Sequence, residues 1–213
     1  MGCVGPLSSI VIVILISATV SAGVFTLQHR GRRLRLPVAT LATALVVAGV
    51  SVIGELQPDV LALLGRDLSA LQAGEWWRAV TPLLVQDGGW PGLIFNVLAL
   101  VFLGALVEAL FPRWVVPAVF LLTALIGELA AYTVMQGQGF AGNSVANLGL
   151  AGVVLVTALV TPRLPARSAA VIGLLAGLVL CVTWDLHSVG VVVGVALGLV
   201  LWRAGAGRAA HPS

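Results

Sequence analysis

Three polar side chains in an otherwise apolar chain have the types that acyl transfer needs: Ser144, His187 and Asn96. A neutral imidazole takes the serine proton, and an amide donates to the oxyanion that forms when the serine attacks a carbonyl. Glu128, Asn147 and Asp185 complete the short set of polar residues inside or beside the apolar runs. Each is a candidate for function, because polar groups are costly in hydrocarbon. His187 is the one histidine of three that lies outside a loop or tail. One such histidine and no cysteine cluster cannot supply a zinc ligand set, so no metal or cofactor is implied. Each residue also has a plainer reading. A serine at a helix start is commonly an N-cap, and Asn or His within a membrane helix often only hydrogen-bonds a neighbour.

The elements that position these residues are membrane helices. The chain has 213 residues, 60% hydrophobic and 9% charged, against about 25% charged in a soluble domain. This apolar content excludes a disordered chain, and the 25 glycines show no collagen period. Cys3 and Cys181 are read as structural and unpaired. About 20 apolar residues cross a hydrocarbon core of roughly 30 Å. Candidate spans are 7–27, 38–53 (extending toward 56), 92–107 (running on to 110), 114–134, 144–160, 168–184 and 187–202. An all-α polytopic membrane protein with seven spans is therefore expected.

Arginine placement orients the spans. Every basic residue is Arg, and nine of the 11 fall in alternate connections: Arg30, Arg32, Arg33, Arg35, Arg113, Arg163, Arg167, Arg203 and Arg208. Arg66 and Arg78 lie on the other side beside Glu55, Asp59, Asp67, Glu75 and Asp87. The positive-inside rule then puts the N-terminus outside and the C-terminus in the cytoplasm. Arginines so placed report orientation, not nucleic-acid binding. Met1-Gly2-Cys3 begins like a myristoylation signal, but Pro6 stands where Ser or Thr is required. The first apolar run has its basic cluster after it, and is read as an uncleaved helix rather than a signal peptide. The outer connection 54–91 is long and amphipathic, and should fold against the membrane surface.

In this topology Ser144 and His187 open their spans at the outer end, and Asn96 sits one turn into its own. All three share one depth. Gly149 and Gly152 follow Ser144, and Gly190, Gly194 and Gly198 follow His187 at intervals of four. Small residues at that spacing let two helices approach closely, so a serine on one can reach a histidine on the other.

Over about residues 38–203 the wording resembles the rhomboid family of intramembrane serine proteases. Gly74-Glu75-Trp76-Trp77-Arg78 with Thr81 resembles its G-x-x-W-R-x-x-T stretch. Phe95-Asn96, Leu103-Gly104 and Glu108 resemble its F-N…L-G-x-x-x-E helix. Gly142-Asn143-Ser144 with Gly149 and Gly152, and His187 with Gly190 and Gly194, resemble its nucleophile and base helices. The resemblance implies six core helices and a Ser144–His187 dyad near the outer surface, with Asn96 and the Ser144 N–H as oxyanion donors. It divides the chain into an extra N-terminal transmembrane helix and basic cytoplasmic loop (1–37), a rhomboid-like membrane domain (38–203) and a cytoplasmic tail (204–213). It implies transmembrane protein substrates in the bilayer of a bacterial inner or plasma membrane, and no nucleic acid. Water would reach the site through the Gly-rich 136–142 loop.

Three positions depart from the pattern. Gly92 stands where the family's helix starts with His, Val145 replaces the Gly after the serine, and Leu148 replaces an aromatic. They favour a rival reading, a pseudoprotease that binds transmembrane clients without cutting. A transporter using Glu128 as its proton site would show internal repeats, and none is visible. Glu128 has no family counterpart; pairing with a neighbouring helix and a proton-accessible cavity both stay open. Apolar surfaces carry no signal of oligomeric state.

Overall fold

The computed structural model describes residues 5–86, 88–137 and 141–205. Readings made on the Met1-Gly2-Cys3 start, Asp87, Arg208 and part of the 136–142 loop lie outside the described residues. The described residues are helical with no strand: α1 Pro6–His29, α2 Val38–Leu56, α3 Pro58–Leu64, α4 Leu68–Gln72, α5 Gly89–Leu110, α6 Val115–Thr133, α7 Ser144–Leu159, α8 Leu164–Val182 and α9 His187–Arg203. Two 3₁₀ turns, Trp76–Ala79 and Thr81–Leu83, precede α5. Five helices (α1, α2, α5, α6 and α8) are long and apolar enough to cross a membrane, while α7 and α9 are shorter apolar helices of 16 and 17 residues.

Helix bounds follow the apolar runs closely, with one instructive difference. α8 starts at Leu164, four residues before its expected start at 168. Pro165 suits the first turn of a helix, and the Arg167 guanidinium turns back to donate to the Thr161 carbonyl at 2.9 Å. A charge thus ended the apolar run without ending the helix.

α7 is the central element. It is apolar on every face, which requires burial on every face, and residues 145–158 are all buried. α1, α5, α6, α8 and α9 surround it. The α7–α9 contact is backbone on backbone. A Cβ on Gly152 would lie 2.6 Å from the Gly194 carbonyl carbon, and one on Gly190 or Gly194 would strike the carbonyl oxygen of Val145 or Gly149. α1 is built into the bundle: Gly23 rests on Leu106 of α5 and Val154 of α7, and Ala22 packs with Leu155, Ala166 and Ala170.

The α2–α5 joint gives Gly104 and Glu108 their purpose. A Cβ at Gly104 would lie 2.5 Å from Thr40 Cγ2. One turn on, the Glu108 carboxylate accepts from the Thr40 N–H (3.0 Å), the Thr40 hydroxyl (2.9 Å) and the Ala39 N–H (3.3 Å). It thereby satisfies orphan donors at the start of α2, where a negative charge also suits the helix dipole.

The segment 57–88 is folded, as its amphipathic composition predicts. Arg78 donates to the carbonyls of Ala62 and Gly65, 2.8 and 2.7 Å away, and pairs with Glu75 at 2.6 Å. The Thr81 hydroxyl donates to Leu64 O at 2.7 Å, and the Tyr132 hydroxyl to Arg78 O at 2.8 Å. The tryptophan–arginine–threonine stretch is therefore a knot that closes α3. Glu128 takes the pairing reading, but its partner comes from the connecting segment rather than from a neighbouring helix. Arg66, between α3 and α4, holds it in a two-point ion pair at 2.6 and 2.9 Å; Glu128 is buried and Arg66 partly so.

Candidate active site

Ser144 is the first residue of α7 and His187 the first of α9. The glycine-on-backbone contact below them brings the two helix starts together. Ser144 Oγ lies 2.8 Å from His187 Nε2, as the glycine spacing predicts. The chain enters α7 through Gly142 at φ +135°, a conformation that side chains resist. The Gly142 N–H donates to Pro82 O at 3.1 Å, tying this turn to the segment before α5.

Behind the imidazole stands Asp185, whose Oδ1 lies 2.7 Å from His187 Nδ1 and accepts from the His187 backbone N–H at 2.9 Å. α8 ends in a Schellman turn that makes this possible. Trp184 adopts φ 55°, its N–H donates to Cys181 O, and the Asp185 N–H donates to Leu180 O. A left-handed non-glycine residue costs about 1–2 kcal/mol, and here it turns the chain out of α8; the Asp185 carboxylate then meets His187 across an Asx-type turn of two residues. Burial raises the Asp185 pKa, but the hydrogen bond and charge of His187, with hydrogen bonds from Ser8 of α1 and the His187 N–H, outweigh it and hold the carboxyl at about 2. Asp185 is ionised at neutral pH, so Nδ1 keeps its proton and Nε2 accepts from the Ser144 hydroxyl. The order of contacts is hydroxyl, imidazole and carboxylate, the order of groups in a serine-histidine-aspartate triad.

Asn96 is buried on α5, and its side chain is already engaged. Nδ2 donates to Gly92 O at 3.0 Å, leaving one of its two N–H groups. Asn147 Nδ2, from the first turn of α7, donates to Asn96 O at 3.0 Å and approaches Asn96 Oδ1 at 3.4 Å. Asn96 is thus tied to α7 through Asn147. Val145 is accommodated by Gly127 of α6, whose Cβ would lie 2.8 Å from Val145 Cγ1. Leu148 is fully buried.

The chain matches the rhomboid domain over residues 73–204. It belongs to the rhomboid family. It is a multi-pass membrane protein, as the family and the apolar helices together require. It is also 32% identical over 107 residues to the rhomboid protease GluP of Bacillus subtilis (strain 168). That stretch covers 50% of this rhomboid chain and 21% of GluP, so the match spans about a fifth of its relative.

Sequence reasoning placed Asp185 among the polar residues but missed its contact with His187. The two are separated by one residue, and the local turn through Leu186 sets the carboxylate against the ring. Gln86 was missed altogether. It is buried, and its amide lies against Gly88, Gly92 and Gly142. Its sequence cue is slight: one amide just before a glycine-rich helix start.

Proposed function

We propose that this rhomboid chain is an intramembrane serine protease that hydrolyses a peptide bond in or near a transmembrane segment of other membrane proteins. The observation that carries the reading is the Ser144–His187–Asp185 line of contacts at 2.8 and 2.7 Å. Ser144 Oγ attacks the scissile carbonyl carbon, and its proton passes to His187 Nε2 while the carbonyl electrons move onto oxygen. Asp185 stabilises the imidazolium without taking its proton. The oxyanion collapses, the C–N bond breaks, and His187 returns the proton to the leaving nitrogen. Water then attacks the acyl-enzyme with His187 again as base, which releases the acid and restores Ser144. Asn96 donates its remaining N–H to the oxyanion together with the Ser144 backbone N–H. The family's serine–histidine pair thus works here with a carboxylate behind it.

In this reading α1, α2, α5, α6, α7, α8 and α9 all span, with the N-terminus outside and the C-terminus in the cytoplasm. Residues 38–203 are the catalytic membrane domain, 1–37 an added helix and basic loop, and 204–213 a tail. The site opens near the outer surface, where a substrate helix unwinds and water is at hand. Cysteine-accessibility labelling should find position 70 outside and position 165 inside; position 165 reacting from the outer face would overturn the orientation. A fluorophosphonate probe with a model transmembrane substrate tests the chemistry. The parent should be labelled and cleave, and Ser144→Ala should do neither. A parent that binds the substrate but neither reacts nor cleaves would make the protein a client-binding pseudoprotease.

A further inference from the structure

Between the start of α5 and the turn into α7 lies a buried amide that the mechanism above does not use. Gln86 is 7% exposed. Its Nε2 lies 3.5 Å from the Cβ position of Gly88 and 3.6 Å from that of Gly92. Its Oε1 lies 3.1 Å from the Cβ position of Gly142, two residues before Ser144. Gly92 is also the residue whose carbonyl anchors Asn96. Gln86 therefore touches the turn that delivers the nucleophile and the helix start that carries the amide donor.

Among the described residues, Gln86 Oε1 is buried with no hydrogen-bond partner. An unsatisfied buried polar atom is costly, and a fold retains one chiefly where a ligand or water completes it. The glycines leave the amide bare: a side chain at 92 or 142 would grow into it. Rotation by 180° about Cγ–Cδ exchanges the amide's oxygen and nitrogen, so the same site can offer an N–H where it now holds an acceptor.

We propose that Gln86 is a further catalytic residue, a second side-chain donor to the oxyanion of the scissile peptide carbonyl. In the resting protein Oε1 accepts from water. When substrate displaces that water, the amide turns and its N–H meets the developing negative charge. No bond to Gln86 forms or breaks. This inference rests on the serine-protease reading.

The test uses the full-length protein in proteoliposomes with a model transmembrane substrate. Turnover is expressed per Ser144 labelled at fluorophosphonate endpoint. Gln86→Met keeps volume and removes the donors. It should lower kcat about a hundredfold while KM stays within about twofold, since the lost contact forms only in the transition state. Gln86→His restores a donor and should recover part of the loss. Gln86→Glu keeps the shape without an N–H, and decides the matter where Gln86→Met does not fold. A Met or Glu variant that turns over at the parent rate per labelled molecule, or a loss confined to KM, overturns the proposal alone. An unlabelled, inactive parent overturns the protease reading and this inference with it.

Discussion

Two joints in this rhomboid protein are built in opposite ways. The α7–α9 joint sets the distance between Ser144 and His187 with backbone against backbone. Gly152 meets Gly194, and Gly190 and Gly194 meet the carbonyls of Val145 and Gly149. The 57–88 segment is held by long side chains reaching to carbonyls and one carboxylate: Arg78 to Ala62 and Gly65, Thr81 to Leu64, and Arg66 to Glu128. A backbone contact has almost no freedom, so it fixes a reacting distance. A side-chain tether tolerates small shifts at both ends, which suits a segment outside the packed helices. The lesson is that the Ser144–His187 distance is entrusted to residues without side chains, and attachment to residues with the longest ones.

The contrast can be broken at several points. The largest effect is expected at Gly194→Val. Its side chain must displace the α7 backbone, an overpacking penalty of about 3 kcal/mol or more, and Ser144 should then lose fluorophosphonate labelling and activity together. A Gly194→Val protein with parent activity would end the claim that this joint sets the site.

Next in size is Asp185→Asn, which should lower turnover about 10²-fold to 10⁴-fold with little change in thermal stability, because it disturbs the imidazole rather than the joint. The pH dependence sharpens this. Because the Asp185 pKa is depressed to about 2, its contribution is complete above the ordinary carboxylate range and is lost only as pH falls through the depressed value. Infrared difference spectra should therefore show no protonated Asp185 carboxyl between about pH 5 and pH 8. A protonated-carboxyl band that appears at about pH 5 and is absent from Asp185→Asn would mean that Asp185 protonates there.

Glu128→Ala probes the other joint. It removes the carboxylate from the partly buried Arg66 guanidinium, which keeps its place over the Tyr132 ring, at a cost of about 3 kcal/mol seen as a lower unfolding midpoint. Turnover per folded molecule should fall less than in Asp185→Asn. The smallest effect belongs to Thr81→Val, which removes one hydrogen bond worth about 1 kcal/mol and should leave kcat unchanged. A Thr81→Val enzyme that is as stable as the parent but slow would mean that this segment takes part in catalysis.

The glycine joint was legible in the sequence, because spacing by four on an apolar helix has few other uses. So were the helix bounds, which follow hydropathy, and the approach of Ser144 to His187, separated by 43 residues in sequence. The knot around Arg78 was recognisable as a motif, but not its partners, since carbonyl acceptors leave no mark on residue type. The Arg66–Glu128 pair was hidden because its members lie 62 residues apart and Arg66 sat in a stretch read only as a loop. Asp185 was in view, yet its contact with His187 depends on the torsions of the short turn through Leu186, which residue types there do not announce. The expectation that Asn96 stands free to donate missed its bond to Gly92, since a side chain's choice of a carbonyl four residues back is not encoded in its type.

The single-residue separation of Asp185 and His187 has a consequence for assembly. Acid and base belong to one short reversal of the chain, so their mutual orientation forms with the α8–α9 hairpin and closes almost no loop. Ser144 arrives from a distant stretch and meets them only when α7 seats against α9. A chain stalled before that docking would hold an imidazole already aimed by Asp185, with no hydroxyl beside it. The Ser144–His187 pair thus exists only once that long-range contact is made, and a half-folded rhomboid chain in the bilayer lacks it.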